Sequence, residues 1–152
     1  MNLSNFKIVN QPSVSPCISG GRNYKLDNEV KFTWADNEQI TILRGYVFDG
    51  ASVPRILHWF IGPMDPRVVA SALIHDAIYT NPDLVGVGVY MKGGVQVDRI
   101  FTKKEADLFF KAANKANNMD AVRTTLAYWA VRMFGRGDFK KFAASEKVQP
   151  TF

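Results

Sequence analysis

The sequence predicts an α+β fold, in which a small antiparallel hairpin sheet packs on about three α-helices and a second β-hairpin lies between the first two helices. Residues 29–34 and 39–43 alternate polar and apolar side chains around a turn-like stretch, which is typical of a half-buried hairpin. Residues 65–79 and 102–117 instead repeat their apolar side chains at helical spacing. This layout is that of one α+β domain.

Length and composition fit one globular domain. The chain has 152 residues, of which 47% are hydrophobic and 22% charged, so one core is expected and disorder is not. Its apolar runs are much shorter than the ~20 residues that span a bilayer, and no membrane span is predicted. The single cysteine, Cys17, excludes an internal disulfide and a zinc site built from paired cysteines. The sequence therefore predicts an extended arm at residues 1–23, one α+β domain at 24–135, and a C-terminal turn and tail at 136–152.

The N-terminal half reads as an arm followed by strands. Residues 1–21 contain two prolines, two glycines and several serines and asparagines, which predicts at most one short strand there, at residues 6–9. After the hairpin, Gly45 breaks the second strand and residues 46–48 form a third short strand. Asp49-Gly50 ends that strand, and Val53-Pro54 turns the chain away from helical angles.

Helix boundaries are marked by capping signals. Asp65-Pro66 starts a helix that runs to about Tyr79. Thr102 and Glu105 have the spacing of a capping box, which starts a second helix. A third helix is predicted from Asp120 to Phe134, ending at Gly135. Its predicted inward face is Val122, Leu126, Trp129, Ala130 and Met133.

Four polar residues stand out as candidate catalytic residues: Asp49, His75, Asp76 and Asp107. Asp76 lies on the inner stripe of the first helix with His75 beside it at the edge, and Asp107 lies at the margin of the second helix. An ionised acid that faces a core needs a hydrogen-bonding, charged or metal partner. The helix dipole alone explains an acid in the first turn, such as Asp107.

The residues leave two explanations of this cluster open. His75, Asp76 and Asp107 supply the nitrogen and oxygen ligands of a divalent metal, with Asp49 as a base, which describes a small metal-dependent hydrolase. Adjacent helix residues point about 100° apart, so His75 and Asp76 share one ion only where the helix ends or distorts. Aside from such a metal, no cofactor is predicted.

The alternative is a polar staple between sheet and helices that performs no reaction. In that arrangement Asp76 hydrogen-bonds the 49–52 turn, and Arg55 or Arg99 pairs with Asp107. Ser52, Arg55 and Arg99 are accordingly candidate binding residues. The net charge of +5 is spread along the chain, which favours a solvated surface over a nucleic-acid groove.

The motifs at residues 48–55 (FDGASVPR), 72–79 (ALIHDAIY) and 104–110 (KEADLFF) resemble, in this order, a family of small phage and prophage proteins classed as a domain of unknown function. The resemblance covers about residues 25–135. It implies a tailed-phage origin and a shared pocket around the Ser-x-Pro turn, the His-Asp pair and the later Asp, and it implies no activity. We therefore expect a virion or assembly protein, tail-associated, whose partners are other phage structural proteins or copies of itself. It would occur in the host cytoplasm during assembly and then in the virion.

Overall fold

The computed structural model describes residues 1–16, 23–35, 37–49 and 66–134, and within these ranges the α+β class is confirmed. The described residues form eight strands and three helices, in this order: β1 Lys7–Ile8, β2 Val14–Pro16, β3 Asn23–Leu26, β4 Val30–Trp34, β5 Glu38–Ile42, β6 Val47–Asp49, α1 Pro66–Thr80, β7 Gly88–Lys92, β8 Val95–Gln96, α2 Lys103–Ala116 and α3 Ala121–Phe134. The predicted first hairpin is β4–β5, and all three predicted helices are present.

The strands form two antiparallel sheets. The larger sheet has the order β1-β4-β5-β7-β8, and the smaller has the order β2-β3-β6. The second predicted hairpin, β7–β8, extends the larger sheet, because β7 pairs along the whole of β5. Its two-residue turn places Gly93 and Gly94 at φ 63° and 78°, a geometry that suits glycine and fixes the hairpin register.

The N-terminal arm adds strands to both sheets. β1 lies within the predicted strand at residues 6–9 and pairs with β4. The expectation of at most one strand in this arm is wrong, since β2 pairs with β3 over three residues. β2 consists of Val14, Ser15 and Pro16, and a proline without a backbone N–H is a poor sign of a strand in the local sequence. It forms by pairing with β3, the next strand of the chain.

An aromatic core lies between the larger sheet and α2. The alternation of β4 buries Val30, Phe32 and Trp34 on one face. Trp34 meets Phe109 of α2 edge to face, with 4.9 Å between ring centroids. α2 also packs on α1, α3 and β1, while α1 reaches β6. The site described next lies where the three helices meet.

The predicted face of α3 is wrong. Val122, Leu126, Trp129 and Met133 are all exposed and Ala130 is half-buried, whereas Thr124, Ala127 and Val131 are buried. Both faces of α3 carry apolar residues, so periodicity alone does not decide which one packs. The smaller residues face inward, where Ala127 and Val131 form a compact cluster with Phe110 of α2.

Candidate functional site

One buried carboxylate joins all three helices. Asp107 of α2 has no exposed surface, although the sequence placed it at the helix margin. Its Oδ1 accepts hydrogen bonds from His75 Nε2 at 2.8 Å and the Tyr79 hydroxyl at 2.9 Å, both from α1. Its Oδ2 accepts from Lys103 Nζ at 2.8 Å and from Arg132 Nη1 of α3 at 3.0 Å. We call these five residues the Asp107 cluster.

Helix starts and helix spacing explain how the Asp107 cluster forms. The predicted capping box is confirmed, since the Thr102 hydroxyl accepts from the Glu105 amide and the Glu105 carboxylate accepts from the Thr102 amide. It fixes the start of α2, from which Lys103 reaches Asp107 one turn later. Lys103 Nζ also donates to the carbonyls of Val131 and Arg132, which lie in the last turn of α3.

The charges of the Asp107 cluster favour an ionised acid. Burial raises the pKa of Asp107, but hydrogen bonds and charge attraction from His75 and Lys103 outweigh it and leave the pKa below the ordinary value of 3.8. One carboxylate thus lies against two permanent cations, Lys103 and Arg132, which compensate its desolvation.

His75 is held in one orientation with one ring nitrogen unused. Its ring stacks on Tyr79 with centroids 4.0 Å apart and packs against Phe110 at 5.2 Å. Because Asp107 is an acceptor, Nε2 of His75 carries the proton that it donates. Nδ1 is buried and has no hydrogen-bond partner in the described part of the chain. In a neutral imidazole that is protonated at Nε2, Nδ1 carries a lone pair, and this lone pair is buried inside the protein.

Asp76 belongs to a different network from its neighbour His75. It is buried, and its Oδ2 accepts a 2.5 Å hydrogen bond from the hydroxyl of Tyr46, which precedes β6. Burial, together with the charge and hydrogen bond of Asp76, raises the pKa of the Tyr46 hydroxyl well above its ordinary value of 10.0. The expectation that Asp76 faces inward and needs a partner is confirmed. This contact ties α1 to the chain that enters the smaller sheet.

Of the two arginines predicted to pair with Asp107, Arg99 pairs elsewhere and Arg55 lies outside the described residues. The guanidinium of Arg99 forms an ion pair with Glu105 and lies over the ring of Phe101, 4.6 Å from the centroid. Glu38 lies 4.0 Å away and accepts a 2.6 Å hydrogen bond from Tyr90. Arg99 therefore links the start of α2 to the larger sheet, on the side of α2 that faces β5 and β7.

The side chains of three other predicted residues lie outside the described part of the structure. Asp49 ends β6, where its backbone pairs with Asn23, but its side chain lies outside the described residues. Ser52 and Arg55 lie outside the described residues altogether. Within the described ranges, no group of three His, Cys, Asp or Glu side chains is placed to hold a metal ion. Of the predicted ligands, the structure brings His75 and Asp107 together and directs Asp76 to Tyr46.

Sequence reasoning missed four residues of these networks: Tyr46, Tyr79, Lys103 and Arg132. Two of them had a local signal, because Tyr79 follows His75 by four residues and Lys103 precedes Asp107 by four, which places each pair on one helix face. Tyr46 and Arg132 had none. Each meets its acid only through tertiary packing, 30 and 25 residues away in sequence.

The outer face of α3 carries a row of large apolar side chains. The exposed fractions are 67% for Val122, 46% for Leu126, 57% for Trp129 and 68% for Met133. Their spacing of four, three and four residues places them within about 60° of arc on one face of the helix. We call these four residues the α3 stripe. It lies opposite the buried Thr124, Ala127 and Val131.

Fold and site together define an α+β protein in which three helices meet at a buried carboxylate and the last helix leaves an apolar face open. The chain belongs to the family described as "Protein of unknown function (DUF1353)", whose model matches residues 24–131. No curated protein and no solved structure matched the chain. The match confirms that the chain belongs to a family of unknown function, while the three-motif pattern and the phage origin stay predictions. No helix among the described residues is long and apolar enough to cross a membrane.

Proposed function

We propose that this protein is a phage-encoded virion or assembly protein, tail-associated, that acts by protein–protein contact. The observation that supports contact most directly is the α3 stripe, in which four large apolar side chains are exposed side by side. Single exposed apolar residues are ordinary, but a contiguous apolar patch is typical of an interaction site. Trp and Met are also among the residue types enriched in protein interfaces.

The Asp107 cluster supports a structural role for the predicted polar site. Each carboxylate oxygen of Asp107 accepts two hydrogen bonds, and the donors come from all three helices. A carboxylate so engaged has no free lone pair for a substrate or a metal, and removing one of its partners would expose a buried charge. The polar staple therefore explains Asp107 through Lys103 and Arg132.

The phage part of the proposal rests on the resemblance of the three motifs, and the partners it names are other phage structural proteins. The proposed location is the host cytoplasm during assembly and then the virion. Mass spectrometry of gradient-purified particles, with antibody labelling on negatively stained particles, tests this directly. We expect the protein at a fixed copy number per particle. Its absence from purified particles would remove the virion proposal.

A second candidate function, a small metal-dependent hydrolase, is favoured by one observation. His75 donates one ring N–H to a carboxylate and keeps the other nitrogen unpartnered, which is the arrangement of many metal-bound histidines. In this function His75 Nδ1 would be the ligand and Asp107 would orient the ring; Asp76, from the predicted set, would be the nearest additional oxygen donor in sequence.

Elemental analysis of protein purified without chelator separates the two functions. His75→Gln is the informative variant, because the glutamine amide keeps a donor for Asp107 and removes the Nδ1 lone pair. The hydrolase function requires near-stoichiometric metal in the wild type and its loss in His75→Gln. A wild-type protein that neither co-purifies with a divalent metal nor binds one on titration contradicts it.

A further inference from the structure

The spacing of the α3 stripe is that of a helix–helix seam. Val122, Leu126, Trp129 and Met133 follow one another at four, three and four residues, which corresponds to positions d, a, d and a of a heptad repeat. The row spans about 16 Å, or three helical turns. Its arc of about 60° is narrower than the apolar face of roughly 100° or more that is typical of helices lying on a core or a membrane surface. A single partner helix matches this geometry best.

The flanks of the α3 stripe carry positive charge. The positions that border the seam, e and g, are Arg123 and Ala130 on one side and Thr125 and Arg132 on the other. α3 itself contains no acidic residue; Arg123 lies 3.5 Å from Asp120, which precedes the helix, and Arg132 is already paired with Asp107, so the lysines of α2 supply most of the available positive charge. Next to it, the outward row of α2 carries three exposed lysines: Lys104, Lys111 and Lys115. Lys111 Nζ lies 5.0 Å from the ring centroid of Tyr128, which in turn contacts Trp129. The lysine row and the stripe therefore adjoin.

These charges indicate which kind of partner can bind the α3 stripe. In a pair of identical α3 helices, parallel or antiparallel, the flanking positions would place arginine against arginine or against a neutral residue, never against an acid. Like charges across an interface are repulsive, and the whole chain carries +5. A second copy therefore fits the α3 stripe poorly, whereas an anionic partner fits it well.

We infer that the α3 stripe is one half of an intermolecular two-helix seam whose other half is an acidic amphipathic helix of a different protein. The partner helix presents apolar a and d residues to Leu126 and Trp129, and glutamate or aspartate to Arg123 and the lysine row of α2. This inference rests on the proposed contact function and specifies the chemistry of the partner.

Two designed peptides of about three heptads test the inference. Both have isoleucine at a and leucine at d; one has glutamate at e and g and the other has lysine there. Binding of each labelled peptide to the full chain is followed by fluorescence anisotropy at two salt concentrations. We expect saturable binding of the glutamate peptide that weakens with salt, and binding of the lysine peptide at least about tenfold weaker.

Three variants assign the binding to the α3 stripe. Leu126→Ser should weaken binding of the glutamate peptide by about tenfold or more, while Val95→Ser, at a more exposed apolar residue on β8, should leave binding unchanged. Arg123→Glu should weaken binding of the glutamate peptide by about fivefold and strengthen binding of the lysine peptide.

Several outcomes overturn the inference. Binding of neither peptide, or equal binding of both, removes the acidic partner helix. Self-association in sedimentation experiments that Leu126→Ser abolishes assigns the stripe to a second copy. Binding to phosphatidylglycerol-containing vesicles, without peptide binding, assigns it to lipid. A protein found in particles that binds neither peptide contradicts this inference alone, and peptide binding by a protein absent from particles contradicts the virion proposal alone.

Discussion

The Asp107 cluster, to which α3 contributes Arg132, and the α3 stripe on the outer face of that helix differ in how completely their groups are partnered. Inside, both oxygens of Asp107 accept two hydrogen bonds and Arg132 of α3 compensates its charge. Outside, four large apolar side chains keep between 46% and 68% of their surface exposed. The inner face therefore explains how the helices stay together, and the outer face retains binding free energy for a partner.

Because of this difference, the Asp107 cluster should determine the stability of the fold and the α3 stripe the binding of a partner. A buried charge network loses its balance when one member is removed, whereas an exposed apolar side chain contributes little to folding. Substitutions in the cluster should therefore unfold the protein, and substitutions in the stripe should change what it binds. Substitutions in the Asp107 cluster are therefore expected to lower the free energy of unfolding more than substitutions in the α3 stripe.

The largest effect is expected for Asp107→Ala. It leaves Lys103 and Arg132 without their buried counter-charge, which should lower the free energy of unfolding by about 3–5 kcal/mol in urea titrations followed by circular dichroism. Asp98→Ala removes an exposed acid and is the matched control, expected to change stability by less than about 0.5 kcal/mol. Equal effects of the two substitutions would contradict the structural role of Asp107.

A smaller effect is expected when single hydroxyls are removed. Tyr46→Phe deletes the 2.5 Å hydrogen bond to the Asp76 carboxylate, and a loss of about 1.5–3 kcal/mol should follow. Tyr79→Phe deletes one of four donors to Asp107, whose other three remain, so a loss of about 0.5–1.5 kcal/mol is expected. The same unfolding titration measures both, and a larger loss for Tyr79→Phe would reverse the ranking of the two networks.

The two networks should respond to opposite ends of the pH scale. The pKa of Asp107 is lower in the folded protein than its ordinary 3.8, so the unfolded chain takes up the proton first and stability falls as the pH drops below about 4. The pKa of Tyr46 is raised, so above pH 10 the unfolded chain ionises first and stability falls as the pH rises.

Urea midpoints measured across pH, for the wild type, Asp107→Asn and Tyr46→Phe, check both slopes. Asp107→Asn should flatten the acid limb only, and Tyr46→Phe the alkaline limb only. An acid limb that is equally steep in Asp107→Asn would show that other carboxylates dominate acid unfolding.

The smallest effect on stability is expected in the α3 stripe. Leu126→Ser and Trp129→Ser remove exposed side chains that face away from Ala127 and Val131, so each should change the free energy of unfolding by less than about 1 kcal/mol. Val131→Ser, on the inner face, should cost about 2–3 kcal/mol and provides the contrast within one helix.

Local patterns were sufficient for most of the fold. Alternation located β4 and β5, the capping box located the start of α2, and the paired glycines located the β7–β8 turn, because each signal depends on neighbouring residues. Strand β2 forms by pairing with β3, and β6 pairs with the same strand from farther along the chain; no local pattern contains these pairings.

The candidate site was predicted only in part, because local sequence patterns do not contain its long-range contacts. An acid and a histidine on inward helix positions indicated that Asp76, His75 and Asp107 needed partners, and the structure supplies partners for all three. Which partners they meet was set by helix packing, so Arg132 and Tyr46 were missed and Arg99 was assigned to the wrong acid. On α3, apolar residues on both faces made periodicity ambiguous, and the smaller residues were the ones that packed.

The most direct test of the contact function compares stability with incorporation for one variant. Leu126→Glu, introduced into the gene in its native phage or prophage context, puts a negative charge in the centre of the α3 stripe without touching the Asp107 cluster. Particles are purified and the protein quantified by mass spectrometry, while the thermal midpoint of the purified variant is measured separately. We predict an unchanged midpoint and a protein missing from particles. A stable variant incorporated at the wild-type copy number would contradict the contact function of α3.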